Sequence, residues 1–419
     1  MLAACECSGA TCRAARIDPA RYFPCMRVLV VTQNYPRFAG DPAGAFVARL
    51  AVAARTADHD VRILTPHAPG TAEHEVMGDL PVHRFRYAPE ALERIGYTGS
   101  LHRRALSSPV AMAGVLFFLA AFRRALADEV RTFAPDIIHA HWWMPAGWLA
   151  SRLGERLIVT CHGSDVRLLD RAPLRRIGRG VFHRASAITA VSRFLARDIA
   201  RVFPDLRTPV EVTPMPVDVD RFAAGLAIPK AHPPRILFAG NLTASKGVDV
   251  LIEAFALLCQ RGVSCQLRIL GQGHMEGALR ALAKRLGIDD GVLWSPLVPQ
   301  DAMPAEYGAS TVTVLPTRGN AEGLGLVLVE ALLAGSAVVG TIAGGIPEVV
   351  RPECTGLLAR PDDASDLAAQ IERLLLDEAL RNRLIRAGQA HMRATYASGP
   401  AAERFLDIYR HVDATGHVR

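Results

Sequence analysis

From Met26 onward the sequence alternates short β-rich runs with stretches of helical period, and after a Pro- and Gly-containing break ending at Pro234 the alternation begins afresh. That rhythm constrains the fold more than any other feature. Each helix must return the chain to the edge it left, so the strands lie parallel and both faces of the sheet are covered. The first half offers strands over 28–32, 61–65, 82–86, 137–140, 157–161 and 187–190, with amphipathic helices over 46–55 and 115–133. The second offers strands over 235–239, 266–270, 292–294, 312–315 and 337–340, with helices over 248–260, 275–286, 325–333 and 364–376, and 382–412 is helical in pattern. The fold class is α/β: two doubly wound, Rossmann-like domains facing each other across a cleft, where strand C-termini of both halves would meet a ligand. The expected partition is a leader over 1–25, a first domain over 26–215, a second over 216–385, and a C-terminal helix over 386–419 packing back toward the first domain.

A mean hydropathy of +0.17 makes a membrane span worth testing. The longest apolar run, 109–122, stops at Arg123 and Arg124. It falls short of the roughly 20 residues a spanning helix needs, so a buried helix is expected there. The leader carries Cys5, Cys7, Cys12 and Cys25 without the apolar core of a secretory signal, and reads as disordered or as an overlong start. No neighbouring histidine completes a zinc spacing, and no metal site is expected. Cys161, Cys259, Cys265 and Cys354 are scattered, which fits a reducing, cytoplasmic compartment. Residues 27–215 hold 25 Lys and Arg against 17 Asp and Glu, whereas 216–419 hold 20 against 22. A basic first half suggests an anionic partner there, a phosphorylated acceptor or an anionic membrane, rather than a nucleic acid.

Three motifs carry chemistry. FAGNLTASKG, 238–247, joins a strand to a helix: Gly240 permits a tight turn, and Lys246 sits beside helix N–H groups and a positive dipole end, a phosphate site in outline. Lys246 is also a scarce choice, since the chain has three lysines against 45 arginines. The spacing is not that of a Walker motif. EGLGLVLVE, 322–330, sets Glu322 and Glu330 at the two ends of a loop and helix start; Gly323 and Gly325 let successive N–H groups form an anion nest. Glu330, on an apolar segment, needs polar partners such as sugar hydroxyls. TCHGSD, 160–165, puts His162 and Asp165 at a strand C-terminus, the usual catalytic edge of such sheets. Weaker signals are the loop GDPAG, 40–44, and the glycines Gly271, Gly273 and Gly277, which miss the dinucleotide fingerprint because Glu276 takes the third glycine's place.

Taken together, from Met26 to about Tyr409, these motifs resemble the retaining family 4 glycosyltransferases of GT-B fold. The most specific element is EGLGLVLVE, supported in order by HGSD, VSRF at 191–194, NLTASKGVDVLIEAF at 241–255, GGIPEVV at 344–350 and TGLLARPDD at 355–363. The resemblance implies transfer of a hexose from a GDP- or UDP-sugar to a hydroxyl of a glycan or lipid-linked acceptor, as in cell-envelope or exopolysaccharide synthesis. It implies that Lys246 neutralises the donor diphosphate beside Gly240 and Asn241, that Glu322 contacts the transferred sugar, and that Glu330 holds the ribose. Amides of Gly323, Leu324 and Gly325 would meet the β-phosphate and sugar, Gly44 would approach the diphosphate from the other domain, and the base would lie near Leu297 and Val298. His162 would contact sugar hydroxyls near the anomeric centre. No DxD-type pair is evident, so metal-independent transfer with retention is expected, without a cofactor, the leaving phosphate taking the acceptor proton. One departure is Asn241, where many relatives carry arginine; Arg193 and Arg318 are the candidate substitutes.

Asp165, Ser192 and Arg193 are the candidates for the acceptor side, with Arg175 and Arg176. Segment 165–184 spaces Arg167, Arg171, Arg175 and Arg179 four apart. As one helix this is a cationic stripe beside Leu168, Leu169, Leu174 and Ile177, with Arg175 and Arg176 toward an anionic inner-membrane surface; Pro173 would break it and leave a solvated helix. Two other readings stay open. One is a non-catalytic nucleotide-sugar or membrane-binding descendant of a transferase, motivated by Asn241, and the other is an NAD-dependent oxidoreductase, which the imperfect glycine pattern disfavours.

Overall fold

A computed structural model of the chain describes residues 25–93, 95–97 and 108–415. The leader, Cys25 apart, lies outside the described residues. Eight strands form the first sheet: β1 (Arg27–Val31), β2 (Asp60–Pro66), β3 (His74–Met77), β4 (Leu80–Phe85), β5 (Ile137–His141), β6 (Leu157–Cys161), β7 (Ala187–Ala190) and β8 (Val210–Val212). Their order is β3-β4-β2-β1-β5-β6-β7-β8. The second sheet holds β9 (Arg235–Ala239), β10 (Gln266–Leu270), β11 (Val292–Ser295), β12 (Val312–Leu315), β13 (Ala337–Thr341) and β14 (Leu357–Ala359), ordered β11-β10-β9-β12-β13-β14. Pairing is parallel throughout except for β3, which runs antiparallel to β4. β5, β6, β7, β12 and β13 are buried at every residue, as strands covered by helices on both faces must be.

β1 sits between β2 and β5, and β9 between β10 and β12. The strand order reverses beside each, so a crevice opens at the C-terminal ends of both sheets. β3, β8 and β14 are absent from the expected strands. β3 alternates exposed with half-buried residues, Val76 is 68% exposed, and Gly78 at φ 62° turns the hairpin into β4.

The apolar run over 109–122 is not a buried helix. It belongs to a longer one, Pro109–Phe133, long and apolar enough by length and composition to cross a membrane. Its inner face joins the first domain's core: Phe118 and Phe122 are fully buried, and the Phe122 ring stacks on Phe85 at 4.6 Å. Its outer face leaves Leu116 and Phe117 exposed.

The chain links the two sheets twice. Val217 N–H donates to the Tyr396 carbonyl at 2.8 Å, so outgoing and returning segments meet. The return falls at Ala397, later than the expected 386, because the helix Glu378–Tyr396 still belongs to the second unit, with Gly388 against Leu332. The helix Ser398–Ala414 then lies on the first unit: Tyr409 bonds His139 Nδ1 at 2.7 Å, and Arg156 pairs with Asp413.

Candidate active site

Both units wall a cavity of about 350 Å³ in the cleft, Phe46, His162 and Met215 facing Asn241, Lys246 and Glu322. On the second-unit side, the loop after β9 turns sharply. Ala244–Lys246 form a single 3₁₀ turn, and Gly247, at φ 64°, caps the helix Val248–Gln260. A Cβ on Gly247 would lie 2.0 Å from the Pro316 carbonyl oxygen, so only glycine fits. Gly271 and Gly273 serve the same loop: Cβ atoms there would strike the Gly240 and Leu242 carbonyls at 2.0 and 2.2 Å. These two glycines make room for the Lys246 loop and form no dinucleotide cradle of their own.

Lys246 Nζ reaches Glu322 Oε2 at 2.5 Å, an ion pair with both side chains mostly buried. Gly325, at φ 93°, caps the apolar helix Leu326–Leu333, and Leu324 and Gly325 line the cavity with Gly240 and Asn241. Gly323 faces the other unit instead. A Cβ on Gly323 would stand 2.4 Å from the His162 carbonyl oxygen, and one on Gly163 would stand 3.0 Å from Gly323 Cα. Beneath this contact Gly345 N–H donates to the Glu322 carbonyl at 3.1 Å, and Gly344 and Gly345 leave space that any side chain would fill. Glu330 lies on this same helix, outside the residues that line the cavity, and accepts the Tyr307 hydroxyl at 2.9 Å. The dense packing around it pushes its pKa up to about 7, while the Tyr307 hydrogen bond and the Arg49 and Arg221 charges pull the other way. Leu297 lines the cavity, and Val298 packs on the core behind it.

On the first-unit side, His162 follows β6. Its Nε2 lies 3.1 Å from His141 Nδ1; His141 stacks on His139 at 4.3 Å, and His139 Nε2 bonds Thr160 at 2.7 Å. Trp142 and Phe46 flank the His162 ring at 4.5 and 5.0 Å. Desolvation drives His139 and His162 down to about 3, and His141 well below its ordinary value, so all three imidazoles are neutral at physiological pH. His162 is therefore a hydrogen-bonding group in the cavity and not a cation.

Several expected residues do other work. Asp165 does not face an acceptor: its carboxylate accepts from the amides of His162, Gly163 and Trp143 at 3.1, 3.0 and 3.1 Å, which staples the TCHGSD turn to the end of β5. Ser192 Oγ caps the helix Arg193–Val202 by accepting from Leu195 N–H. The amides of Arg193 and Phe194 are taken by the Glu348 carboxylate of the second unit, at 2.9 and 2.8 Å. Ser192 and Arg193 thus build a seam between the units. Gly44 stays outside the cavity; at φ 66° it caps the helix Ala45–Thr56, its missing Cβ makes room for the Asn34 carbonyl, and Phe46 reaches the cavity from the same turn.

The 165–184 stripe is broken. A 3₁₀ turn, Val166–Asp170, ends before Arg171, and Pro173 opens the helix Ala172–Phe182, which leaves Arg175 and Arg176 exposed. Arg167 crosses to the Ala321 carbonyl at 2.8 Å, and Arg179 pairs with Asp205. Neither candidate substitute for the missing arginine faces Asn241: Arg318 is held by Asp249 and Asp362, and Arg193 is outside the cavity. Among the described residues, Lys246 is the one cation lining it. Sequence reasoning missed Phe46, His141, Trp142, Tyr307 and Glu348. A signal for two of them existed in HAHWW, 139–143, at the same strand edge as HGSD.

Residues 43–221 match the family described as Glycosyltransferase Family 4, and residues 227–391 the one described as Glycosyl transferases group 1. The D-inositol 3-phosphate glycosyltransferase of Acidothermus cellulolyticus is 31% identical over 304 residues, 66% of this chain and 67% of that one. The chain belongs to the family 4 glycosyltransferases. This glycosyltransferase is also 28% identical over 408 residues to a GDP-mannose-dependent alpha-(1-6)-phosphatidylinositol monomannoside mannosyltransferase of Mycobacterium tuberculosis, covering 93% of this chain and 99% of that one. Among solved structures, sucrose-phosphate synthase from Thermosynechococcus elongatus is similar with a TM-score of 0.76 at 21% identity, covering 93% of this chain and 100% of that one. HepE of Anabaena in complex with UDP-glucose has a TM-score of 0.69 at 17% identity, covering 92% and 100%. The two sheets of this glycosyltransferase share the GT-B fold with these enzymes, and the oxidoreductase reading falls away.

Proposed function

We propose that this glycosyltransferase moves a hexose from a nucleotide-diphosphate sugar to a hydroxyl of a glycan or lipid-linked acceptor, with retention and without a metal ion. The observation that carries the reading is the Lys246–Glu322 pair at 2.5 Å, beside a helix start and in one cavity with neutral His162. Donor binding exchanges partners: the diphosphate takes Lys246, and Glu322 turns its freed carboxylate to sugar hydroxyls. As the bond from C1 to the β-phosphate oxygen breaks, charge grows on the phosphate, where Lys246 and the N–H groups of Leu324 and Gly325 stabilise it. The acceptor oxygen joins C1 on the face the phosphate leaves, and its proton passes to a phosphate oxygen. His162 bonds sugar hydroxyls from the opposite wall, Glu330 holds the ribose, and Leu297 borders the base.

In this reading residues 26–215 carry the acceptor, residues 216–396 the donor, and the helix Ser398–Ala414 ties the two. GDP-mannose is the first donor to test, supported by the likeness to the mannosyltransferase along nearly the whole chain. UDP-sugars come second. A cytoplasmic position at the inner membrane face is supported by that relative's lipid acceptor and by the basic first half.

The test is turnover of GDP-, UDP- and ADP-sugars with and without EDTA, beside Glu322→Ala. Release of one nucleoside diphosphate, insensitive to EDTA and lost in the variant, is expected. Loss with EDTA would overturn metal independence, and unchanged release in Glu322→Ala would overturn the site. Silence together with no donor binding by calorimetry would leave a non-catalytic descendant.

A further inference from the structure

The helix Pro109–Phe133 has two apolar faces, and the described residues cover one of them. Inward, Phe118 and Phe122 are fully buried and Leu126 is 1% exposed. Outward, Val110 is 82%, Leu116 60% and Phe117 69% exposed, with Met112 beside them. Single exposed apolar residues are ordinary on a protein surface, whereas four large ones within eight positions of one helix form a patch. The patch ends where Arg123 and Arg124 emerge, both exposed.

Cations continue beside it. Arg152 rests on the Trp148 ring at 4.4 Å, and the charges of Arg184 and Arg123, after burial, make its own charge less favourable, so these arginines crowd together. Arg184 also lines a shallow dish with Arg176, Arg179 and His183. Arg179 is paired with Asp205; Arg123, Arg124, Arg152, Arg176 and Arg184 have no carboxylate ion-pair partner among the described residues. Crowded cations without counter-charges, next to an apolar stripe, complement a surface that offers hydrocarbon and anionic headgroups together.

We propose that the outward face of the helix Pro109–Phe133, with Arg123, Arg152 and Arg184 at its border, docks on an anionic phospholipid bilayer. The helix lies in the interface and does not span it, because its inner face is part of the domain core and withdrawal would expose Phe118 and Phe122. The membrane contact moves accordingly from Arg175 and Arg176 to this helix, Arg176 remaining at the edge of the patch through the dish. This inference stands on the surface and is independent of the transfer reading.

The test is co-sedimentation of the full chain with phosphatidylcholine vesicles with and without phosphatidylglycerol, at low and high salt. The wild type should partition onto phosphatidylglycerol vesicles, less so at high salt. Leu116→Gln with Phe117→Gln should weaken partitioning at least about tenfold while nucleoside-diphosphate binding, read by calorimetry, stays unchanged. Arg123→Glu with Arg124→Glu should abolish the preference for phosphatidylglycerol. A wild type that stays in the supernatant with every vesicle, or a Leu116/Phe117 variant that partitions like it, overturns the proposal. So does a dimer in ultracentrifugation that the same variant splits without any vesicle binding, since a second copy would then cover the patch. These are binding readouts, so a protein silent in turnover still answers them.

Discussion

Lys246 and Glu322 neutralise each other at 2.5 Å in the wall of the cavity, although 75 residues separate them in the chain. In the proposed function this salt bridge holds the donor site, and a substrate diphosphate would have to replace it. Glu322→Gln should free Lys246, so nucleoside-diphosphate affinity should rise several-fold while transfer falls by about 100-fold. Lys246→Ala should lower that affinity by at least about tenfold. Calorimetry and initial rates on the same samples check both, and a Glu322→Gln variant that binds no tighter than wild type would show that the pair does not compete with the ligand.

Asn241 lines the cavity near Lys246, and neither Arg193 nor Arg318 supplies a second cation there. Asn241→Arg should tighten nucleoside-diphosphate binding by about tenfold and steepen its salt dependence. Equal affinity in wild type and variant would remove this loop from the diphosphate.

The three stacked histidines tie acid stability to the site. His139 and His162 sit at about 3 in the folded protein against about 6.5 unfolded, so between those values the unfolded chain binds more protons. The stability they support is present above about pH 6.5 and is lost as the pH falls toward 3. Melting temperature should drop between pH 7 and pH 5, and His139→Gln should flatten that slope; an unchanged slope would show that these imidazoles titrate normally. His162→Ala should cut transfer by about 100-fold, with the wild-type rate flat from about pH 6 to 8 as far as His162 is concerned.

Glu330 acts with the opposite sign. Its carboxyl is pushed up to about 7 in the folded protein against about 4.5 unfolded, so the folded chain binds more protons in that window and stability declines as the pH rises through it. Glu330→Gln, which keeps an acceptor for Tyr307, should match wild type at pH 5 and melt about 2–4 °C higher at pH 8. If Glu330 holds the ribose, the same variant should lose nucleoside-diphosphate affinity at both values. Identical melting curves at pH 8 would show that the charged form is well accommodated.

The units meet through backbone at Gly163 and Gly323 and through Glu348 at the start of the helix Arg193–Val202. Gly323→Ala places a Cβ 2.4 Å from the His162 carbonyl oxygen, so the turn must retreat. Transfer should fall by at least about 100-fold with the melting temperature changed by only a few degrees. Glu348→Ala leaves two helix amides without their acceptor, about 1 kcal/mol of capping, and should enlarge the radius of gyration in X-ray scattering. Full activity in Gly323→Ala would separate this contact from catalysis.

Much of the architecture can be read from local pattern. Uninterrupted apolar runs such as Val28–Val31 require cover on both faces, and the glycines beside Lys246 and Glu322 mark strand-to-helix turns, so the doubly wound sheets and the two glycine loops follow from neighbours in sequence. The tertiary structure decided which of these turns meet. Asp165, Ser192 and Gly44 share the residue types and positions of ligand-binding groups, yet the first two are occupied by backbone amides and the third makes room for a carbonyl. Glu330 was recognisable as a carboxylate in need of partners, but Tyr307 became one of them only through helix packing. The run over 109–122 shows the same limit: its hydropathy alone does not reveal which face has a partner, and folding buries Phe118 while leaving Phe117 in solvent. Periodicity reports the surroundings of a residue along its own element. Contacts between loops far apart in the chain depend on how closely two backbones approach, and here Gly163 and Gly323, with no side chains, allow the two units to close on one cavity.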